Sequence, residues 1–172
     1  MVKKTIVILF SLTFLLLYLF QEENKTSTIL THQKLIDHYL EQKQPMDLFG
    51  ILEIPSLNIN QPIYPKDHKE NHVDKHVMLL ESQDTFLAFA AHSGNGPHAY
   101  FRELDQLKKE DKIIIKSIDQ TKEYQYFRKE EVLKNGSIAV IEYPFSYLVL
   151  ITCSKTNDKI QEVFYAKLTK IY

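Results

Sequence analysis

The sequence predicts a mainly β domain, a barrel or sandwich of about eight short strands with one or two short helices, behind an N-terminal transmembrane helix. Three observations carry that expectation. From Gly50 onward, short apolar runs alternate with turn-forming residues. Twenty Tyr and Phe accompany long Ile/Leu/Val stretches, which a disordered chain lacks. One uncharged run, Thr5 to Phe20, lies between Lys3–Lys4 and Gln21–Glu23. The 172 residues, less this run and the polar stretch after it, suffice for one domain with a single core. Lys and Arg number 21 against 22 Asp and Glu, and no basic stripe is interleaved with aromatics, so nucleic acid is not expected as a partner.

Residues 1–21 are read as a membrane anchor. The run is apolar all round, unlike an amphipathic core helix, and the charge step across it places the N-terminus inside. Sixteen residues fall short of the ~20 that usually span a bilayer, which raises the alternative of a cleaved signal peptide. Leu17, Tyr18 and Phe20 stand where a signal peptidase needs small residues, and this favours an uncleaved anchor with an extracytoplasmic domain. Residues 22–47 form a stalk, partly helical through Ile29, Leu30, Ile36 and Leu40.

The domain is expected over 48–172. Ile51–Ile54 and Ile59–Ile63 read as strands with Pro at their boundaries. Lys66 to Lys75 reads as a solvated connection, and Phe86–Ala91 as a buried strand ending at His92. Ser93–Pro97 form a turn, after which Tyr100, Phe101, Leu104 and Leu107 recur at the spacing of a short amphipathic helix. Ile113–Lys116, Tyr124–Phe127, Ile138–Ile141, Tyr147–Thr152 and Val163–Leu168 complete the expected strands, with antiparallel pairing.

Cys153 is the sole cysteine, so no intramolecular disulfide forms in the oxidising compartment assigned to the domain. A lone Cys commonly serves as a small buried apolar residue. Here both Cys153 and His92 stand at the C-terminal end of an apolar strand, where it passes into a polar loop. A thiol with pKa of about 8.5 is mostly protonated at neutral pH, so nucleophilic use calls for an imidazole close by. The sequence alone does not place the two side chains together.

At these residues the chain resembles the sortase family of membrane-anchored cysteine transpeptidases. The segment LVLITC, Leu148 to Cys153, is similar to the family's TLxTC strand, with Val149 where Thr is common. LAFAAHS and YFRELDQLKKEDK resemble the histidine strand and its FxxLxxLxxGD continuation, with Glu110 for the usual Gly. GILEIPSLNINQPIY resembles the first strand pair. The resemblance implies an eight-stranded barrel, an extracytoplasmic location and ping-pong acyl transfer without metal or organic cofactor. It implies that Cys153 attacks the Thr carbonyl of an LPxTG-like sorting signal, that His92 protonates the leaving amine, and that an amine from cell-wall precursor or another protein resolves the thioester.

The family's last strand carries an Arg five residues before the Ala of an RxxVxA-like run; here QEVFYAKL puts Gln161 in that place. Either Gln161 serves as a neutral oxyanion or substrate donor, or Arg128, Lys155 or Lys159 reaches in, or catalysis is slow. A binding or scaffold protein on the same fold, and a hydrolytic cysteine peptidase, are therefore the competing readings. His68, His72 and His76 recur every fourth residue, but HKENH is not the HExxH pattern and the stretch reads as solvated. His98 is expected exposed, and Asp105 and Asp111 are candidates to orient His92.

Overall fold

The computed structural model describes residues 48–135 and 141–172. The expected anchor and stalk, residues 1–47, lie outside the described residues. Among the described residues no helix is long and apolar enough to cross a membrane.

Eight strands form one sheet: β1 Gly50–Ile54, β2 Ile59–Ile63, β3 Met78–Gln83, β4 Phe86–Ala90, β5 Lys112–Lys116, β6 Thr121–Leu133, β7 Tyr147–Cys153 and β8 Ile160–Ile171. Their order is β2-β1-β5-β6-β8-β7-β4-β3, and a bridge from Ile63 to Val77 joins the two ends into a nearly closed barrel. Closure of this kind removes sheet edges that would otherwise template association.

Local sequence accounts for the corners. Between β1 and β2, Pro55–Leu57 make one 3-10 turn whose end is capped by Asn58 at φ 53°, a left-handed conformation that Asn tolerates. Gly50 lets β1 approach β5, since a Cβ there would lie 2.6 Å from the Lys116 carbonyl oxygen. Glu110 sits at φ 77°, in a turn closed by the Asp111 N–H donating to the Lys108 carbonyl at 3.0 Å. That conformation suits Gly and explains physically why a glycine belongs at this point of the motif.

Side chains of the strands divide into two clusters. The inner one, the barrel interior, includes Leu52, Ile63, Leu87, Phe89, Phe101, Leu104, Ile113, Tyr124, Leu148, Leu150 and Phe164. The outer one comprises Ala88, Tyr147, Val149, Ile151, Val163 and Tyr165, with Phe127, Val132, Ile141, Tyr143 and Phe145 packed against it. β7 is therefore buried on both faces, which is why it reads as an unbroken apolar run rather than an alternation.

Three expectations are corrected, and a fourth lies mostly outside the described residues. The amphipathic helix after His92 shortens to a 3-10 turn, Leu104–Gln106. Its apolar residues still face inward, but so few residues gain little by completing an α-helix against the cost of nucleation. β3 was not expected, because its Leu79–Leu80 pair and the bulge between Leu79 and Glu81 obscure the alternation. The strand expected at 138–141 falls mostly outside the described residues, and Ile141 itself is not in a strand. Finally, β4 and β7 pair in parallel, from Phe86↔Tyr147 to Ala90↔Ile151, since the long intervening chain permits a crossover.

Candidate active site

The parallel pairing of β4 and β7 brings His92 and Cys153 to the same end of the barrel. Beyond the last register pair, the Ala91 N–H donates to the Ile151 carbonyl at 3.2 Å and the Thr152 hydroxyl donates to the Ala91 carbonyl at 2.8 Å. The Ser93 hydroxyl then donates to the Cys153 carbonyl at 2.5 Å. His92 is thus held between two residues that are each tied to the strand carrying Cys153. A further bond, Phe101 N–H to the His92 carbonyl at 3.0 Å, seats its backbone over the inner cluster.

The imidazole has a partner that sequence reasoning missed. His92 Nε2 lies 2.9 Å from Asp74 Oδ1, and this hydrogen bond holds the Asp74 carboxyl below the usual carboxylate range. Asp74 comes from the segment read as a solvated connection. That segment is anchored by the buried Asn71, whose amide bonds the Leu79 N–H at 2.7 Å and the Leu79 carbonyl at 3.0 Å. It is fastened to the His92 loop by the Tyr100 hydroxyl donating to the Lys75 carbonyl at 3.0 Å. No pattern near Asp74 announces this role; only the fold of the connection creates it.

Cys153 is half-buried and follows Val149 and Ile151 on the outer face of β7. Gln161 on β8 is its register partner, so the two side chains share a face. The register therefore sets Gln161 opposite Cys153 on the neighbouring strand. Lys134, immediately after β6, directs its ammonium to the sulfur at 3.6 Å. Its own N–H donates to the Lys159 carbonyl at 2.8 Å. Sequence reasoning missed Lys134 because β6 was expected to stop at Phe127. The observed strand continues to Leu133↔Ile160 and delivers the next residue to the site.

Other candidates are engaged elsewhere. Asp105 pairs with Lys155 at 3.0 Å, and Asp111 accepts from the Ser56 hydroxyl at 3.0 Å, so neither orients His92. Arg102 Nε donates to the Gly94 carbonyl at 2.9 Å and braces the loop, while Arg128 pairs with Glu130. His98 meets the Tyr100 hydroxyl at 3.3 Å. His72 lies 3.5 Å from Asp74, whereas His68 stacks on Tyr64. Among the described residues no group of three or more His, Cys, Asp or Glu is placed to hold a metal ion.

With this fold and site in place, comparison with known proteins defines the class. The sortase domain model matches residues 52–169, and the chain belongs to the sortase family. Sortase A of Staphylococcus aureus strain NCTC 8325 / PS 47 is 25% identical over 125 residues, covering 68% of this chain; the chain spans 60% of that relative's length. Among solved structures, sortase C of Streptococcus pneumoniae superposes with a TM-score of 0.62 at 24% identity, covering 74% of this chain and 71% of that one. Sortase C-1 of Actinomyces oris gives 0.63 at 21%, covering 78% and 81%. A lid mutant of sortase A from Corynebacterium diphtheriae gives 0.63 at 19%, covering 76% and 74%. These structures share the barrel.

Proposed function

We propose that this chain is a cysteine transpeptidase that cleaves an LPxTG-like sorting signal and joins the acyl fragment to an amine of cell-wall precursor or of another protein. The supporting observation is the delivery of His92 and Cys153 to one end of the barrel by parallel neighbouring strands. The Cys153 thiolate attacks the Thr carbonyl carbon; the C–S bond forms and the carbonyl π pair moves onto oxygen. Collapse restores the carbonyl and breaks the C–N bond, and the leaving amine takes its proton from His92. In the second half the acceptor amine attacks the thioester, gives a proton to His92 and releases the thiolate.

Asp74 fits this sequence as a positioning residue. Accepting a hydrogen bond from Nε2 fixes the neutral imidazole with its proton there, which leaves Nδ1 to exchange protons with thiol and amine. Gln161 is assigned as a neutral donor to the oxyanion or the substrate. Residues 1–21 would hold the chain in the cell membrane and 22–47 would carry domain 48–172 to its extracytoplasmic substrates.

Intact-mass spectrometry of the full chain in detergent, with LPxTG-like peptides and with or without triglycine, tests this reading. A thioester on Cys153 that triglycine consumes to an amide product is the expected result. A thioester yielding the same hydrolysed product whether or not amine is present would make the chain a cysteine peptidase. A folded protein that forms no adduct would make it a binding or scaffold protein.

A further inference from the structure

We propose that Lys134 supplies the cationic donor of this site, the part that the absence of Arg at position 161 leaves vacant, and acts as a catalytic residue on the thiolate and the oxyanion. The inference rests on the acyl-transfer reading above. Its starting point is a contact, the Lys134 ammonium 3.6 Å from the Cys153 sulfur.

Three other cations of this region are paired with carboxylates. Lys129 reaches Glu162 at 3.0 Å, Lys155 reaches Asp105 at 3.0 Å and Arg128 pairs with Glu130. Lys134 turns to the sulfur instead. Its backbone is fixed by the β6–β8 ladder, which runs to Leu133↔Ile160, and by the bond to the Lys159 carbonyl. The stem therefore starts from a rigid point while the ammonium retains freedom to follow moving charge.

That freedom matches the reaction. Negative charge resides on sulfur before attack and on the former carbonyl oxygen after it, and the two atoms are then bonded to the same carbon. An ammonium already at the sulfur needs only a small displacement to donate to the oxyanion. Gln161, on the strand paired with Cys153, adds a neutral donor, but charge-assisted hydrogen bonds are about twice as strong as neutral ones. The two together divide between β8 and the residue that follows β6 what one guanidinium does in the family pattern: Gln161 supplies a neutral donor and Lys134 supplies charge.

Single-turnover acylation of the full chain by an LPxTG-like peptide tests this with Lys134→Met and Lys134→Arg. The Met variant is expected to lose about 10²–10³ in acylation rate at saturating peptide, with half-saturation and melting temperature unchanged. The Arg variant is expected to recover to within about tenfold of wild type, because it restores the charge on a stem of similar reach. A Met variant within about threefold of wild type, or an Arg variant as slow as Met, would overturn the inference. Alkylation of Cys153 by iodoacetamide at one fixed pH needs no peptide, and the same ranking of the three proteins is expected. Wild-type protein that alkylates in that ranking yet forms no thioester would refute the acyl-transfer reading while leaving the hold of Lys134 on sulfur standing. Equal alkylation of all three would refute that hold.

Discussion

The two faces of β7 make opposite uses of one strand. Leu148 and Leu150 enter the inner cluster, whereas Val149 and Ile151 enter the outer one and Cys153 continues their face to the end of the strand. Inside, the neighbours are other strands of the barrel together with Phe101, Leu104 and Leu107 from the segment after His92, and the residues serve to hold the barrel closed. Outside, the cover is the segment before β7, with Tyr143 and Phe145, and the face runs out into Cys153, Gln161 and Lys134. A barrel can thus be stabilised from within while a reactive end is varied from without. Gln161 lies on that outer face, so a change at its position leaves the inner cluster untouched.

The difference can be broken from either side. Cys153→Ala should abolish covalent adduct formation and leave the urea-unfolding midpoint unchanged, the largest change in activity for the least change in fold. Phe89→Ala does the converse: this fully buried inner side chain should cost about 3–5 kcal/mol of unfolding free energy, read from urea titration. Asp74→Asn should slow single-turnover acylation roughly tenfold, well short of the 10²–10⁴ expected for loss of the acid/base group itself, because an exposed partner orients the imidazole without supplying the proton. Glu110→Gly should raise stability by about 1 kcal/mol by relieving the left-handed backbone, with acylation unaffected.

The smallest effect sharpens the contrast by pH. Burial pushes Tyr165 of the outer cluster up to about 12 and Tyr124 of the inner cluster higher still. Both lie above the value of about 10 in an unfolded chain, so the unfolded state loses protons first. Their contribution to stability is full below pH ~10 and is lost as pH rises through the folded values. The urea midpoint should fall between pH ~9 and pH ~11, and less so in Tyr165→Phe.

Much of this was legible in the sequence because it depended on runs and their ends. β4 and β7 are continuous apolar stretches, and their terminal residues, His92 and Cys153, could be named without knowing how the strands pair. Gln161 was named from the resemblance, five residues before Ala166, and its place opposite Cys153 came from the β7–β8 register. Asp74 and Lys134 were not legible, for different reasons. Asp74 depends on the tertiary docking of an irregular segment through Asn71 and Tyr100, which leaves no periodic trace. Lys134 depends on the length of β6, whose outer half, Arg128 to Leu133, is mostly polar because one side faces solvent. Glu110 marks a third case, in which the motif was recognised and its departure was seen, but the positive φ that explains the glycine needed the structure.

On the proposed reading, Cys153 and His92 form one reacting pair at the end of the parallel strands. The most direct test of that pairing is the rate of thioester appearance on the intact chain in wild type, Cys153→Ala and His92→Ala. No adduct is expected in Cys153→Ala, and in His92→Ala a rate lower by about 10²–10⁴ with the fold unchanged. A covalent adduct that persists in Cys153→Ala, or a His92→Ala rate equal to wild type, would contradict it.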